Sequence, residues 1–186
     1  IRVSAFHFVS GLTTTGFQTT DMSGWSHTAM LILSIGALIG GCAGSTSGGL
    51  KVSRVVFLFN EFQLWMKRTL LPRNAVVTLK IGNKRLPEDL VRKELSEATL
   101  ISFLFLISVL VSVMILSHFV ASSIDLSTII FSVCSAQGNV GLQTSIITPS
   151  MHFVGKIVLI IDMWIGRLEI IPVALLIRYL IKGFKI

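Results

Sequence analysis

Long apolar stretches separated by short polar segments dominate this chain. The longest covers residues 98–121 and, apart from His118, contains no ionisable side chain. A helix needs about 20 predominantly apolar residues to cross a bilayer, so this stretch predicts a spanning helix. The helices of a soluble protein would show a polar stripe, which this stretch lacks. Residues 153–178 predict a second span, although it carries ionisable side chains, among them Lys156, Asp162, Arg167 and Glu169.

A shorter apolar segment lies between the two predicted spans. Residues 124–136 are too few to cross a bilayer, and the flanking spans already provide both crossings, so a re-entrant pore helix is predicted. A polar, glycine-containing turn follows at residues 138–142. Irregular backbone at membrane depth is tolerated only where protein buries it or where it lines a water-filled cavity. The position of this turn therefore indicates that it lines a pore.

The same pattern occurs at the start of the chain. A short helix is predicted over residues 1–12 and a polar turn over 13–17, and the sequence GFQTT at 16–20 returns as GLQTS at 141–145. We interpret this as an internal repeat of span, re-entrant helix, turn and span. The first copy lacks its leading span and opens on an Ile, so we expect a piece of a longer polypeptide. Further positions agree at an offset of 125 residues: Phe6 with Phe131, Ser10 with Ser135, and Gly41 with Gly166.

A glycine-rich segment interrupts the second span of the first copy, residues 28–66. Its glycines and hydroxyl side chains are Gly40, Gly41, Gly44, Ser45, Thr46, Ser47, Gly48 and Gly49. Each glycine destabilises a helix interior by roughly 0.8–1.0 kcal/mol, so we expect a weak, mobile break. Close helix packing through small residues is the alternative. A phosphate-binding loop is disfavoured, because Leu50 separates the last glycine from Lys51 and because an apolar helix precedes the segment.

Composition and charge place the chain in a membrane. Hydrophobic residues make up 52% of the 186 residues and charged residues 13%, against about 25% charged in soluble domains. The net charge is +7, and ten of the sixteen Lys and Arg lie between Lys51 and Lys93, whereas the connections 17–27 and 118–152 contain none. The positive-inside rule therefore predicts that residues 67–96 form a cytoplasmic connection, with a small hairpin over 75–86. A nucleic-acid-binding surface would have aromatic or groove-reading elements among its basic residues. We therefore do not expect this chain to bind nucleic acid.

The two polar turns suit the binding of a monovalent cation. A ring of backbone carbonyls can replace the water shell of such an ion. Glycine permits the required dihedral angles, and threonine adds a hydroxyl acceptor. A pair of ordinary surface turns is the alternative. The candidate ion-binding residues are Thr14, Thr15, Gly16 and Phe17 in the first turn, and Asn139, Val140, Gly141 and Leu142 in the second.

Arg167 is the most unusual charged residue of the chain. A charged side chain at the bilayer centre costs about 2.5–3.5 kcal/mol, so it normally faces a cavity or a partner. We predict that Arg167 faces the pore below the turns, where its positive charge would raise the barrier to cations and its side chain would hold the glycine-rich segment; an ion pair with another helix is the alternative. Asp162 is either a cation attractant or, as we favour, a hydrogen-bond partner between helices. Asp125 is interpreted as an N-cap or first-turn acid of the following helix, and His7 as a packed or interfacial histidine and not a ligand.

Four stretches resemble a known family: residues 13–17, 40–51, 138–142, and WIGRLE at 164–169. They are similar to the Trk/Ktr/HKT superfamily of potassium transporters, in which four span–pore-loop–span repeats of one chain surround a single pore. The resemblance implies that residues 1–66 form a third repeat and residues 97–186 a fourth, with selectivity filters at the two turns. It also implies that the glycine-rich segment is an intramembrane gating loop.

The fold class and partners follow from the same resemblance. It implies an all-α membrane protein of potassium-channel-like repeats with a small cytoplasmic hairpin, multi-pass in the cell membrane. K⁺, or alternatively Na⁺, would be the transported ion, with no covalent cofactor and no enzyme activity. The implied partners are membrane lipid, the first two repeats of the same protein, a second copy in a homodimer, and a cytoplasmic nucleotide-binding regulatory subunit on the basic face of residues 51–95. A non-conducting membrane scaffold and an ATP-linked transporter domain are the other hypotheses.

Overall fold

The fold was analysed in a computed structural model that describes residues 1–42, 44–45, 47–70, 80–81, 84–85, 88–120, 124–168, 172–173, 175–176 and 178–179. The regular secondary structure of the described part is helical apart from one pair of two-residue strands and one isolated bridge. The helices are α1 (Arg2–Leu12), α2 (His27–Leu38), α3 (Val52–Leu70), α4 (Glu88–Phe119), α5 (Leu126–Gln137) and α6 (Phe153–Leu168). The strands, β1 (Lys80–Ile81) and β2 (Lys84–Arg85), pair antiparallel. The rest of the hairpin predicted over 75–86 lies outside the described residues.

Helix α4 contains the described segment that is long and apolar enough to cross a membrane, Lys93–Phe119. Large apolar side chains on its surface are exposed, including Phe103, Leu106, Leu110 and Met114. Contiguous apolar surface of this extent is uncommon on soluble proteins and typical of a surface that meets lipid. The helix therefore supports the membrane assignment made from the sequence.

Helices α1 and α5 are much shorter. They contain 11 and 12 residues, which at about 1.5 Å per residue gives about 16–18 Å, well short of a bilayer core of about 30 Å. Both end in turns rather than continuing into another helix. Neither helix is therefore long enough to cross a bilayer.

Helix α5 lies at the centre of the packing. Its Phe131 and Cys134 join a cluster with α2, whereas Ile129 and Val133 join a second cluster with α4 and α6. Nine of the twelve α5 residues are buried. Apolar side chains thus enclose α5 on both sides. Packing against α2, α4 and α6 fixes α5 and, with it, the start of the turn that follows.

Helix α2 has defined ends. The Ser26 hydroxyl caps its start by accepting a hydrogen bond from the Ala29 N–H at 3.4 Å, which satisfies a backbone donor that has no partner inside the helix. After Leu38 the chain leaves helical geometry, and an isolated bridge joins Ile39 to Leu50. The helical path resumes with α3, so the glycine-rich segment of residues 40–51 separates two helices.

Candidate functional site

The turn after α1, residues 13–17, is called here the N-terminal loop. Thr14 and Gly16 have left-handed backbone conformations, with φ of 54° and 75°. A left-handed β-branched residue is a true outlier that costs about 1–3 kcal/mol, and such strain concentrates at functional sites. The loop folds back on its own helix, because the Thr15 N–H donates to the Ser10 carbonyl at 3.0 Å and the Ser10 hydroxyl donates to the Phe17 carbonyl at 2.8 Å.

The turn after α5, residues 138–142, is called the C-terminal loop and has the same construction. Asn139 and Gly141 are left-handed, with φ of 53° and 88°. The Val140 N–H donates to the Ser135 carbonyl at 2.9 Å, and the Ser135 hydroxyl donates to the Leu142 carbonyl at 3.0 Å. Each of these features lies 125 residues after its counterpart in the N-terminal loop. The repeat seen in the sequence is therefore also a repeat of backbone geometry.

The two loops are in direct contact. A methyl group added at Gly16 would overlap the carbonyl oxygen of Val140, so only glycine permits this approach. Nearby, the Gln143 N–H donates to Gln18 Oε1 at 3.1 Å, and Gln18 Nε2 donates to the Gln143 carbonyl at 3.3 Å. The structure thus brings together the predicted ion-binding residues of both loops. The glutamine contact was not predicted from the sequence, although the shared Gln in GFQTT and GLQTS was its signal.

Behind each loop, a buried polar side chain holds the residue that follows the glutamine. His7 is completely buried, and its Nε2 accepts a hydrogen bond from the Thr19 N–H at 3.2 Å. At the corresponding place in the second copy, the Ser132 and Thr144 hydroxyls lie 2.6 Å apart. His7 is therefore a packed histidine, as predicted, and it also fixes the end of the N-terminal loop.

The glycine-rich segment is tightly folded. A methyl group at Gly40 would overlap the Gly48 carbonyl oxygen, and Gly49 has a left-handed φ of 76°. The Ser47 hydroxyl accepts the Gly41 N–H at 2.8 Å, while Lys51 Nζ donates to the Ser47 carbonyl at 2.7 Å. Of the other predicted gate residues, Gly44 is exposed and left-handed with open space around it, Ser45 bonds the Ser47 hydroxyl, and Thr46 lies outside the described residues.

This segment reaches the base of the C-terminal loop. A methyl group at Gly48 would lie 2.6 Å from the Gly138 carbonyl oxygen and 2.7 Å from Asn139 Nδ2. The same Nδ2 donates to the Met163 carbonyl of α6 at 3.1 Å. Asn139 therefore connects the loop, the glycine-rich segment and α6, a role that the sequence did not reveal.

Arg167 directly follows a glycine at which α6 and the end of α5 approach closely. A methyl group at the preceding residue, Gly166, would overlap the carbonyl oxygen of Gln137, so α6 packs tightly against the end of α5. The Arg167 side chain is exposed, and within the described residues no hydrogen bond or ion pair is made by it. Glu169, one of the acids considered near it, lies outside the described residues.

Two acids on the helices have structural partners. Asp162 is 2% exposed and accepts a hydrogen bond from the Ser112 hydroxyl of α4 at 2.7 Å, which supports a hydrogen bond between helices. Asp125 occupies the N-cap position of α5 but makes no side-chain capping hydrogen bond. Its position therefore agrees with the sequence prediction, while its carboxylate lies 4.0 Å from His27 Nδ1 instead of capping a backbone N–H.

An open polar cavity of about 460 Å³ lies over the two loops, lined by residues 18–21 and 143–145. Asp21 is the acid among these residues. Hydrogen bonds from the hydroxyl and the backbone N–H of Ser23 lower the pKa of its carboxyl below the usual value. Asp21 therefore stays ionised at neutral pH and provides a negative charge beside the loops.

Comparisons with known proteins point to one family. Residues 1–183 match the TrkH family, described as cation transport proteins. The chain is 34% identical to the Trk system potassium uptake protein TrkH of Escherichia coli K12 and 34% identical to an uncharacterized cation transporter of Methanocaldococcus jannaschii. These alignments cover 95% and 93% of the chain but 35% of each relative. The chain thus spans about a third of the length of the curated relatives it matches.

A solved structure shows the same fold. The crystal structure of the potassium transporter TrkH from Vibrio parahaemolyticus superimposes with a TM-score of 0.70 at 30% identity, over 92% of this chain and 36% of that one. The match confirms the helical fold class expected from the sequence. The family is described by transport and not by catalysis, which agrees with the prediction that the chain is no enzyme.

Proposed function

Because the chain belongs to the TrkH family of cation transport proteins, we propose that it forms part of the conduction path of a monovalent cation uptake system, with K⁺ as the transported ion. The N-terminal and C-terminal loops are two filter segments of this path. The observation that carries the proposal is the contact of two loops with the same strained backbone, each at the end of a helix too short to cross a bilayer.

The backbone of both loops suits ion binding. The left-handed residues are separated by one residue of negative φ in each loop. In a regular strand successive groups point in opposite directions, so this alternation allows neighbouring carbonyls to face one side. Carbonyls arranged in this way replace the hydration shell of a cation without adding formal charge.

The cavity over the loops would serve as the entrance for the ion. Asp21 provides a negative charge there, and the adjoining connections at 17–27 and 118–152 contain no Lys or Arg. A cleft of one sign raises the local concentration of ions of the opposite sign. This arrangement favours cations over anions before the filter is reached.

The gate consists of the glycine-rich segment and Arg167. Gly48 supports this role because it lies against the base of the C-terminal loop, and a segment that is weak as a helix can move away from it. Arg167 contributes a positive charge that raises the barrier to cations below the loops.

Substitution of Arg167 separates the gate hypothesis from a structural ion pair. We expect Arg167→Ala to increase K⁺ uptake several-fold, whereas Arg167→Lys, which keeps the charge, should stay near the wild-type rate. Uptake would be measured with cells that depend on the full-length protein for K⁺. A lower melting temperature of Arg167→Ala with unchanged uptake would favour the ion pair instead.

The proposed assembly contains more than this chain. The first two repeats of the full-length protein would complete the ring of loops, and two such subunits would form a homodimer in the cell membrane, surrounded by lipid. A cytoplasmic nucleotide-binding subunit would dock on the basic face of residues 51–95. The high density of Lys and Arg in that range supports an anionic or regulatory partner on this side.

The filter assignment is tested by Gly141→Ser in the full-length protein. Gly141 is left-handed with open space beside it, so a side chain strains the backbone without a direct clash. We expect a loss of K⁺ uptake or a lower ratio of K⁺ to Na⁺ uptake. Gly24→Ser is the matched control, because Gly24 has no positive φ and a side-chain carbon added there would meet no atom within 4 Å. Normal uptake of both ions in Gly141→Ser would favour a non-conducting scaffold.

A further inference from the structure

The buried ring of His7 makes two hydrogen bonds that together define its protonation state. Its Nδ1 lies 2.8 Å from the Val3 carbonyl oxygen, and its Nε2 lies 3.2 Å from the Thr19 backbone nitrogen. Because a carbonyl only accepts hydrogen bonds, the ring proton lies on Nδ1, and Nε2 is the unprotonated nitrogen that accepts from the Thr19 N–H. This arrangement exists only in the neutral ring, since both nitrogens of a protonated imidazole are donors.

The second copy builds the same two contacts from hydroxyl groups. Ser132 stands 125 residues after His7, and its hydroxyl donates to the Thr128 carbonyl at 2.8 Å. The Thr144 hydroxyl therefore donates to Ser132 Oγ, at 2.6 Å. Thr128 and Thr144 each stand 125 residues after one of the two partners of His7. Of these two supports, only the one behind the N-terminal loop contains a group that changes its charge near neutral pH.

The enclosure of His7 is complete within the described residues. The residue is 0% exposed, and the rings of Phe6 and Trp25 lie edge-on to the imidazole, with centroids 5.6 and 5.1 Å away. The burial of His7 therefore does not depend on any further segment of a longer protein. A proton that reaches this ring changes a hydrogen bond that water cannot easily replace.

Charged groups around His7 lie at the surface. The ionisable residues on the elements packed against it are Arg2 on α1, Asp21 in the segment after the loop, and His27 at the start of α2, and all three are exposed. The Asp21 carboxylate is bonded to Ser23. Within the described residues, His7 forms an ion pair with none of them. The protonated ring would therefore have no counter-charge to hold it in place.

We propose that His7 holds the N-terminal loop only in its neutral form, so that proton binding loosens this loop and lowers the preference of transport for K⁺ over Na⁺. The proton binds Nε2, and the Thr19 N–H then loses its acceptor and faces a second donor. Neither hydrogen-bond partner of His7 is a candidate ion-binding residue, so His7 is a positioning residue that acts through Thr19. The proposal rests on the proposed function, since it assigns a regulation to one of the two filter segments.

The position of Thr19 explains how its release would reach the filter. Thr19 lies two residues after Phe17, the end of the N-terminal loop, and directly after Gln18. The Gln18 side chain bonds the Gln143 backbone beside the C-terminal loop. A displacement of Thr19 therefore affects both the end of its own loop and the contact between the loops. The loss of an acceptor for a buried N–H changes an equilibrium by about 5-fold or more.

The first test measures K⁺ and Na⁺ uptake by the full-length protein in proteoliposomes, with the same pH inside and outside. The pH is varied from about 5 to about 8, the range in which histidine side chains change their charge. We expect the K⁺-to-Na⁺ ratio of the wild type to fall about 5-fold toward acid pH. In His7→Gln the ratio should be independent of pH, because the amide oxygen takes the place of Nε2 as acceptor and binds no proton in this range. A constant wild-type ratio, or the same fall in His7→Gln, would overturn the proposal.

Two further variants identify the group that responds to pH. His27→Gln is the matched control, because it removes an exposed histidine and should leave the pH dependence in place. Asp21→Asn removes the carboxylate of the cavity over the loops. If Asp21→Asn abolishes the pH dependence and His7→Gln does not, the entrance carboxylate is the responsible group and the proposal is wrong.

His7→Leu separates this proposal from the filter assignment. Leucine offers no acceptor at any pH, so we expect the ratio at neutral pH to fall to the value of the wild type in acid. If His7→Leu lowers the ratio but the wild type does not respond to pH, the protonation step is wrong and the filter assignment stands. If His7→Leu takes up both ions like the wild type at every pH, the N-terminal loop does not select ions, and both proposals fail.

The second test observes His7 directly in the wild-type protein and does not depend on transport. Nitrogen-15 NMR of the histidine-labelled full-length protein distinguishes protonated from unprotonated ring nitrogens. The His7 signal is assigned by its absence in His7→Gln or, where that variant does not fold, by labelling at position 7 alone. We expect the proton on Nδ1 at neutral pH, and protonation of Nε2 over the pH range in which the ratio falls. A proton on Nε2 at neutral pH, or protonation outside that range, would contradict the proposal.

Discussion

Helices α1 and α5 end in loops of the same backbone geometry but have very different surroundings. Nine residues of α5 are buried, whereas in α1 only His7, Ser10 and Gly11 are buried. The buried residues of α1 are the ones that hold or face a loop, since Ser10 bonds Phe17, His7 bonds Thr19 and Gly11 faces Leu142. The comparison teaches that a loop needs its own helix for its shape and a neighbouring unit for its enclosure.

The helices that follow the two loops differ more strongly. After the first copy, α2 ends and the glycine-rich segment folds against the base of the C-terminal loop. After the second copy, α6 continues past Gly166 to Leu168 and carries Arg167. The repeated part builds the loops, and the differing part places two distinct features, a glycine break and a positive charge, next to them.

The largest effect is expected from a variant that breaks the contact between the loops. Gly16→Ala adds a methyl group that overlaps the Val140 carbonyl and also forces alanine into a left-handed conformation. Gly141→Ala has the second cost, about 1–2 kcal/mol, without the overlap. We expect Gly16→Ala to lower the melting temperature of the full-length protein in detergent clearly more than Gly141→Ala. Equal shifts would show that the loops do not meet at Gly16.

A second pair of variants tests the difference between the following helices. Gly166→Ala places a methyl group on the backbone carbonyl of Gln137, whereas the nearest atoms to a methyl group at Gly41 belong to the side chains of Ser45 and Ser47. Side chains rotate away more easily than backbone, so Gly166→Ala should be the more destabilising variant, by about 1–3 kcal/mol as for overpacking. Thermal unfolding measures the difference. A larger effect at Gly41 would contradict the packing of α6 against α5.

The smallest effect concerns the hydroxyls that hold the loops. Ser135→Ala leaves the Leu142 carbonyl without its partner in a buried place, which costs about 1–3 kcal/mol, whereas Ser10→Ala frees the carbonyl of the exposed Phe17 and should cost about 0.5–1.5 kcal/mol. Chemical unfolding of both variants checks this order. Equal costs for the two variants would contradict the difference in burial between Leu142 and Phe17.

Much of the architecture was predictable from the sequence. The charge-free stretch of residues 98–121 indicated the long helix, and the structure has Lys93–Phe119 there. The similar sequences GFQTT and GLQTS indicated two equivalent turns. The residues with positive φ in the two turns are likewise 125 positions apart. Short helices, long apolar runs and glycine-rich turns are local signals, so they are visible before folding. The grouping of the helices into a third and a fourth pore repeat stays a prediction.

The contacts between segments were not predictable. The Gln18 side chain bonds the Gln143 backbone, 125 positions away, and the Asn139 side chain donates to the Met163 carbonyl, 24 positions away. The shared Gln of GFQTT and GLQTS was the one signal of the first contact, and it does not specify a partner, because polar side chains at loop ends are common for many reasons. The missing capping bond of Asp125 has the same cause, since the packing of α2 beside α5 brings His27 near its carboxylate.

The serine tethers have a consequence for how such a protein arises. Ser10 and Ser135 each stand seven residues before the carbonyl they hold, so a single short stretch of gene encodes both the helix and the shape of its loop. Duplicating that stretch delivers a second loop that is already folded, with no compensating change elsewhere in the chain. Divergence after duplication is then free to act on the helix that follows, where one copy has a glycine break and the other an arginine.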